Sequence, residues 1–321
     1  MKKFAILTFI ILLFTAVFPG CNQADVSNGG KISIICTVFP QYDWTRQILG
    51  DEADHMELTL LLRSKADLHN YQPSVEDIVK ISTCDLFIYV GGESDKWTVD
   101  VLKEAANPDM IAISLLDVLG DAAKPEEIVE GMEDDEDDDG DEDDYDEHIW
   151  LSLKNAEIFC SAITETLSYM DADNTKTYEN NMDAYIKELK SLDGEYQAVT
   201  GAAPVKTLLF GDRFPFRYLV DDYGLNYYAA FPGCSAETEA SFDTIISLAR
   251  KVDELDLDVV MVTESADQSI AKTIISNTEA QNQHILVLDS MQSVTSNDVG
   301  DGTTYLDIMK NNLNVLQEAL Y

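Results

Sequence analysis

Basic side chains are scarce in this chain. Its 321 residues contain 21 lysines and arginines against 60 aspartates and glutamates, so the formal net charge is −39 at pH 7. A protein that binds phosphate backbones needs a basic face, and this composition offers none. Nucleic acid is therefore a poor partner, whereas a cation or a metal ion suits the charge.

Cysteines are few and widely spaced. After Cys21 they stand at Cys36, Cys84, Cys160 and Cys234, with no Cys-x-x-Cys pair and no run of cysteine and histidine. The spacing therefore argues against a thiolate zinc site. Cys36 and Cys84 fall in apolar, strand-like runs and are predicted to be small buried residues. A chain of this length does not require a disulfide, and the sequence leaves the pairing open.

The apolar segment near the N-terminus, residues 4–18, is too short for a comfortable membrane span. It follows two lysines and ends at Pro-Gly-Cys, which is typical of a secretory signal over 1–21. The Gly-Cys pair resembles a bacterial lipoprotein signal, in which Cys21 is lipidated and becomes the new N-terminus. We therefore expect an extracytoplasmic protein anchored to the cell membrane by lipid, with a flexible tether at 22–30. Ordinary secretion, with Cys21 as a bystander, is the alternative.

One acidic loop, residues 133–147, holds 13 carboxylates in 15 residues, which equals about a third of the net charge of −39. Self-repulsion and the lack of apolar side chains predict a solvated, mobile loop. Its spacing does not fit the calcium loop of an EF-hand. We expect it to gather divalent cations weakly and pass them on.

Strand-like and helix-like segments alternate on both sides of a helical middle. Strands are predicted at 32–38, 56–62, 86–90, 110–114, 206–210, 225–228, 259–262 and 285–288. Helices are predicted at 42–49, 74–81, 95–105, 155–168, 174–197, 215–223, 242–255, 269–278 and 305–320. The fold class is therefore α/β, with two lobes that each contain a parallel-rich sheet flanked by helices.

The predicted helix at 174–197 carries apolar side chains at steps of three and four along its whole length. It is long enough to run along two lobes as one rigid backbone helix. We place the N-terminal metal-binding lobe at 31–155, the helical middle at 156–203 and the C-terminal metal-binding lobe at 204–321.

Two of the four histidines lie in unusual surroundings. His69 belongs to Asp-Leu-His-Asn-Tyr-Gln-Pro-Ser at 67–74, and His148 opens His-Ile-Trp-Leu-Ser directly after the acidic loop. Ligands of open α/β sheets gather beyond the carboxyl ends of strands, where Asp212 and Asp289 also lie. A cleft between the lobes could collect all four side chains. Two neutral imidazoles and two carboxylates suit Zn²⁺ or Mn²⁺.

Each candidate has a plainer interpretation. Asp212 could be a helix N-cap, and Asp289 could be a turn residue. Glu264, which follows the strand at 259–262, is the reserve carboxylate. His55 lies among acidic residues and is predicted to be solvated, whereas His284 precedes a strand and is predicted to lie on the surface.

At these residues the chain resembles the solute-binding proteins of zinc and manganese ABC transporters. Segment 67–74 resembles the Asp-Pro-His-x-Tyr-Glu-Pro-Ser element that carries the first metal histidine of the family. The segment from His148 to Asn-Ala at 155–156 resembles the element that carries the second. Asp289 and the residues that follow it resemble the C-terminal element that supplies an aspartate ligand.

The resemblance implies two lobes, a rigid connecting helix and delivery of the bound ion to a membrane ABC permease. Where most members have a third histidine or a glutamate, this chain has Phe-Gly-Asp-Arg-Phe-Pro at 210–215, so Asp212 is the nearest replacement. Zinc members of the family often carry a His-rich or acidic loop where this chain has residues 133–147, so the resemblance favours Zn²⁺ over Mn²⁺, although carboxylates themselves suit both ions.

The expected function is therefore capture and delivery of Zn²⁺ by a monomer, without catalysis. Affinity should fall as the pH drops through the histidine range, because ligands must be deprotonated. Two other classes of protein are the alternatives. A metallohydrolase would need a general base and a motif such as His-Glu-x-x-His, which the chain lacks. A surface adhesin would use the acidic loop and the tether to contact cations of a host or matrix.

Overall fold

Two four-stranded parallel sheets form the framework of the protein. The computed structural model describes residues 30–63, 68–132, 145–235 and 239–321. The strands are β1 (Ser33–Cys36), β2 (Glu57–Leu60), β3 (Leu86–Tyr89), β4 (Ile111–Ser114), β5 (Thr207–Phe214), β6 (Asn226–Pro232), β7 (Val259–Thr263) and β8 (His284–Leu288). The first sheet has the order β2-β1-β3-β4 and the second the order β6-β5-β7-β8, so both halves share one topology.

All strand pairs in the two sheets are parallel. Parallel strands are covered on both faces, which explains the short apolar runs in the sequence. In each half the second strand in the chain lies on one side of the first strand and the third strand lies on the other. The strand order therefore reverses between β1 and β3 in the first sheet and between β5 and β7 in the second. Loops at the carboxyl ends of such strands are where α/β proteins bind ligands.

Eleven helices within the described residues flank these sheets. They are α1 (Phe39–Leu49), α2 (Val75–Thr83), α3 (Thr98–Lys103), α4 (Leu115–Leu119), α5 (Leu153–Met170), α6 (Thr175–Ala202), α7 (Arg217–Tyr223), α8 (Phe242–Leu255), α9 (Ser269–Ser276), α10 (Ser296–Gly300) and α11 (Tyr305–Leu320). Several begin at a hydroxyl side chain that accepts from the backbone of the first turn. Ser74 does this for α2, and Ser152 does it for α5.

The long helix α6 has 28 residues and spans about 42 Å. It packs against α1 and α5, which precede it in the chain, and against α11 at the C-terminal end. Near its start, Asn181 Nδ2 donates to the carbonyl of Ile48 at 3.0 Å. Near its end, the Tyr196 hydroxyl donates to the carbonyl of Met309 at 2.6 Å. The helix therefore fastens both halves, which confirms the predicted backbone helix.

A continuous apolar core joins the two sheets through α1, α5 and α11. At its centre the Trp44 ring lies 5.7 Å from Phe159 and 5.2 Å from Tyr305 between centroids. The Tyr305 hydroxyl donates to the carbonyl of Trp150 at 2.8 Å. Because Trp150 follows His148 by two residues, this packing fixes the loop that carries the second histidine.

The fold class is confirmed, and the main difference from prediction is at β5. This strand extends to Phe214, so Asp212 lies within it rather than at a helix N-cap. Residues 31–321 pack as one compact unit, and the exact lobe boundaries remain a prediction. Among the described residues, no helix combines the length and apolarity that crossing a bilayer requires. Cys21, the signal, nearly all of the tether, and residues 133–144 lie outside the described residues.

Candidate metal centre

The loops that follow β2 and precede α5 bring the two predicted histidines together. His69 lies in a single helical turn, Leu68–Asn70, and His148 immediately precedes another, Ile149–Leu151. Their Nε2 atoms are 3.1 Å apart. On tetrahedral zinc, two nitrogens at about 2.0–2.1 Å from the metal lie roughly 3.3 Å from each other. The spacing thus matches that of two ligands on one ion.

The other ring nitrogen of each histidine is held by neighbours. His148 Nδ1 lies 3.0 Å from Asp146 Oδ1, which also accepts from the His148 backbone N–H at 2.8 Å. His69 Nδ1 lies 2.8 Å from Ser94 Oγ and 3.4 Å from Glu147 Oε2. Such partners keep the proton on Nδ1 and direct the Nε2 lone pair toward a metal. With a proton on each Nδ1, both Nε2 atoms can coordinate one cation.

Buried carboxylates dominate the electrostatics of the histidine pair. Burial of the His148 ring alone would lower its pKa, but the charges of Asp146 and Glu147 outweigh burial and raise the pKa above its ordinary value. Burial alone would raise the pKa of Glu147, yet its bonds to His69 and Ser94 hold that pKa below its usual range. Asp146 and Glu147 are 2% and 1% exposed. The site therefore attracts positive charge.

This burial corrects one prediction. The acidic loop was expected to be solvated as far as residue 147, but its last two residues are part of the interior. Gly92 accommodates Glu147, because it has φ +82° and a Cβ there would overlap the Glu147 carboxylate. The carboxylates that end the acidic loop are thus structural partners of the histidines.

A third group comes from the carboxyl end of β6. Cys234 Sγ and one nitrogen each of His69 and His148 all lie within 4.8 Å of one another. Among the described residues this is the group of three histidine, cysteine or acidic side chains that could hold a metal. The sequence shows no cluster of cysteine and histidine, but the fold forms one. The Cys234 backbone N–H donates to Glu126 Oε1 at 2.8 Å, and burial raises the pKa of the thiol well above its ordinary value.

Gly233 lets this part of the chain pass close to the histidines. A Cβ at this position would lie 2.8 Å from the carbonyl oxygen of Phe214 and 3.2 Å from the His148 ring. Any larger residue would push the loop away from the imidazole. The glycine thus sets the distance between Cys234 and the histidine pair.

The loop after β8 supplies a fourth neighbour, Gln292. Its Nε2 lies 3.2 Å from His148 Nε2, and its Oε1 is buried without a hydrogen-bond partner. Met291, just before it, has φ +66°, a backbone conformation that side chains other than glycine rarely adopt. Such strain persists where the surroundings enforce it. Here Trp150 Nε1 donates to the carbonyl of Ser290 at 2.9 Å and holds the loop from the histidine side.

Glu264 anchors the loop of residues 290–293 through hydrogen bonds. Its carboxylate accepts from the backbone N–H groups of Ser290, Gln292 and Ser293 at 2.8, 3.1 and 3.2 Å. It also accepts from the Ser290 hydroxyl at 3.0 Å. Glu264, the alternative carboxylate ligand predicted from the sequence, thus holds the loop that presents Gln292.

Asp289 and Asp212 are engaged elsewhere and do not belong to the three-residue group. Asp289 Oδ1 accepts from the Met291 backbone N–H at 2.7 Å, as a turn residue does. Burial and the nearby charge of Glu264 raise the pKa of Asp289 to about 7. Asp212 Oδ2 accepts from the backbone N–H of Thr263 at 2.9 Å and from its hydroxyl, tying β5 to β7. Their role as ligands remains a prediction from the sequence.

The remaining histidines and cysteines lie where the sequence predicts. His55 and His284 are exposed. Cys36 and Cys84 are buried, and the four cysteines of the described residues form no disulfide. Sequence reasoning missed Cys234 and Gln292 as neighbours of the histidines. The signal that could have indicated Cys234 is its position just beyond a strand, the criterion that selected Asp212 and Asp289.

Comparison with known proteins places the chain in one family. The family model described as "Zinc-uptake complex component A periplasmic" (ZnuA) matches residues 34–319. The high-affinity zinc uptake system protein ZnuA of Bacillus subtilis is 29% identical over 322 residues, covering 97% of this chain and 96% of that protein.

The zinc-binding lipoprotein AdcA of Streptococcus pneumoniae is also 29% identical, over 99% of this chain, which spans only 61% of the length of AdcA. The crystal structure of the Zn(II)-bound ZnuA-like domain of that AdcA superposes with a TM-score of 0.71 at 27% identity, covering 91% of this chain and 99% of the domain. The sequence match, the shared two-sheet fold and the paired histidines agree, and the chain belongs to the ZnuA family of zinc-uptake components.

Proposed function

We propose that this protein captures Zn²⁺ outside the cytoplasm and delivers it to a membrane ABC permease. The family is one of transport components rather than an enzyme class. The bound ion is cargo, held by His69 and His148 and released without chemical change. Cys21 would anchor the protein to the membrane by lipid.

One observation carries the proposal: the two imidazoles face each other through Nε2 at 3.1 Å while both Nδ1 atoms have partners. With a proton on each Nδ1, both Nε2 atoms can bind one ion, an arrangement that a histidine pair with only a packing role does not need. A dication bound to both Nε2 atoms would be stabilised by the nearby charges of Asp146 and Glu147. The names of the relatives, zinc-binding lipoprotein and zinc uptake protein, support zinc as the cargo.

The fold supports capture with limited motion. Helix α6 binds to both halves along its length, and the apolar core continues from one half to the other. Wide opening would expose this core to water. Loading and release are therefore expected to involve the loops at the carboxyl ends of the strands. Asp212 and Asp289 are retained as candidate ligands from the sequence, but each would first have to release its present hydrogen bonds.

The test is isothermal titration of Zn²⁺ into protein freed of metal with a chelator. Wild type should show one tight site, and His69→Ala/His148→Ala should lose it and retain only weak binding to the acidic loop. The matched control is His55→Ala/His284→Ala, which removes two exposed histidines. Tight binding that survives in the His69/His148 variant would refute the proposal.

Membrane attachment is tested separately. Wild-type protein should fractionate with membranes, and Cys21→Ala should be released in soluble form with unchanged zinc affinity. Release of the wild type to the same extent would show ordinary secretion.

A further inference from the structure

We propose that Cys234 supplies the third ligand as a thiolate, so that the cargo site is a His₂Cys site selective for Zn²⁺ over Mn²⁺. This inference rests on the proposed function, because it concerns the ligand set of the same cargo site. It also answers a question that the histidines alone leave open, since imidazole binds both metals.

The geometry of the three ligand atoms supports a shared ion. They lie within 4.8 Å of one another, and the two nitrogens are 3.1 Å apart. On tetrahedral zinc, a sulfur at about 2.3 Å and a nitrogen at about 2.0 Å from the metal are separated by roughly 3.5 Å. A rotation or shift of the Cys234 side chain by about an ångström therefore completes the coordination.

The chain is built to bring this thiol to the histidines. Cys234 follows β6 by two residues, and Gly233 permits contact with the His148 ring. Glu126 Oε1 accepts the Cys234 backbone N–H and fixes the position of the residue. A cysteine with only a packing role would need neither the glycine nor the backbone anchor.

The competing oxygen ligands of the C-terminal half are already engaged. Asp212 accepts two hydrogen bonds from Thr263, and Asp289 accepts one from Met291. Glu264 accepts four donors of the 290–293 loop. Among the described side chains of this half, Cys234 is the anionic ligand type that lies within reach of both histidines.

The charge of a His₂Cys site also fits its surroundings. Zn²⁺ with one thiolate and two neutral imidazoles carries a net charge of +1. The buried carboxylates of Asp146 and Glu147 lie next to the imidazoles and offset it. On loading, the metal displaces the thiol proton to solvent.

A thiolate ligand determines the class of cargo. Sulfur ligands favour borderline and soft ions such as Zn²⁺, whereas Mn²⁺ prefers carboxylate, carbonyl and water. The acidic loop cannot make this distinction, because carboxylates accept both metals. Cys234 therefore determines the selectivity for Zn²⁺ over Mn²⁺, and the acidic loop only collects divalent ions.

Cobalt spectroscopy tests the inference directly. Co²⁺ bound to a thiolate gives a near-ultraviolet sulfur-to-metal charge-transfer band, whereas cobalt bound to imidazole alone gives only weak visible bands. Measurements use the full chain with Cys21→Ala, so that the thiol outside the described residues does not contribute. The one-to-one Co²⁺ complex should show the band, Cys234→Ser should lose it, and the control Cys84→Ala should retain it.

One further measurement uses the unchanged Cys234 and does not depend on the folding of a Cys234 variant. Zn²⁺ should protect Cys234 from alkylation in the same protein, as read by peptide mass spectrometry, and a chelator should restore the reaction. In competition titrations, wild type should favour Zn²⁺ over Mn²⁺, and Cys234→Ser should narrow this preference by about 100-fold.

The outcomes separate this inference from the proposed function. A one-to-one, histidine-dependent Co²⁺ complex without the charge-transfer band, or alkylation unchanged by Zn²⁺, would overturn the Cys234 assignment and leave zinc capture standing. Binding that is equally tight without His69 and His148 would overturn both.

Discussion

The two sides of the metal site are prepared differently. On the N-terminal side, His69 and His148 are mostly buried and their Nδ1 atoms are held by Ser94, Glu147 and Asp146. On the C-terminal side, Cys234 and Gln292 are only partly buried, and Gln292 Oε1 has no partner. The first side is preorganised, whereas the second can still adjust.

This difference assigns separate tasks to the two sides. Preorganised imidazoles bind without reorganising, so the histidine side should determine affinity. The cysteine side depends on loops after β6 and β8, and adjustment there can complete or open the coordination. A site for cargo must release its ion, and a movable third ligand provides for release without unfolding the rigid half.

Gly233→Ala should have the largest effect, because it acts at the junction of the two sides. The added Cβ would meet the Phe214 carbonyl at 2.8 Å and the His148 ring at 3.2 Å. Zinc affinity is expected to fall by about 100-fold, with a loss of stability of about 1–3 kcal/mol. Competition with a chromophoric chelator measures the first quantity and thermal unfolding the second.

Gly194→Ala is the matched control for this variant. Gly194 lies within α6, and a Cβ there would meet nothing within 4 Å. It should leave zinc affinity unchanged and raise stability by about 0.5–1 kcal/mol. Equal zinc affinities for the two alanine variants would show that close approach at Gly233 does not matter.

Replacing one carboxylate on each side should give the next largest contrast. Asp146→Asn removes the charge that orients His148, so zinc affinity should fall by about 10- to 100-fold. Asp212→Asn removes a charge from a contact that ties two strands, so affinity should stay within about twofold while stability falls by about 1–2 kcal/mol. An affinity loss for Asp212→Asn as large as that for Asp146→Asn would restore Asp212 as a ligand.

Much of the fold follows from local sequence patterns. Every strand of the two sheets was predicted from a short apolar run, and the bounds of α8 and α11 agree with the periodicity. Prediction stopped too early at β5, because Gly211, Asp212 and Arg213 interrupt the apolar pattern although they remain in the strand. Strand order depends on contacts distant in sequence, which no local pattern reveals.

The candidate site shows the same division between residues that local sequence reveals and residues that depend on contacts distant in sequence. His69 and His148 could be found because each lies in a distinctive local segment. Cys234 was missed, although it lies just beyond β6, because no distinctive local segment marks it. The packing of the β6 end against the His148 loop is what brings its thiol to the histidines. Composition also misled about Asp146 and Glu147, since their acidic neighbours suggested solvent although the interior holds both.

A moderate effect is expected from Glu264→Gln, which tests the adjustable side. The amide cannot accept all the bonds that the carboxylate accepts from the 290–293 loop, and its own N–H groups would face donors. The loop should loosen and zinc affinity should fall by about 3- to 10-fold, with faster release in stopped-flow exchange. A loss as large as that of the His69/His148 variant would instead indicate that Glu264 is a ligand.

The smallest effect on zinc affinity is expected from replacing Asp95, a buried carboxyl group in the N-terminal half. Asp95 is 2% exposed, and its Oδ2 accepts from the backbone N–H groups of Val90 and Gly91 at 2.9 and 3.0 Å. Burial, with the nearby charge of Glu147, raises the pKa of Asp95 to about 7. Between pH 4 and 7 the folded protein therefore retains a proton that the unfolded chain has lost.

This proton makes metal-free protein lose stability as the pH rises through that window, since the folded state binds more protons than the unfolded state. Asp95→Asn keeps an oxygen acceptor for Val90 and Gly91 and removes the titration. Chemical unfolding with chelator at pH 5 and pH 8 should show that wild type loses about 1–3 kcal/mol more stability than the variant. Equal losses of stability in wild type and Asp95→Asn would show that Asp95 is not the titrating group. Zinc affinity at pH 8 should be unchanged in Asp95→Asn, because Ser94 and Glu147, rather than Asp95, hold His69.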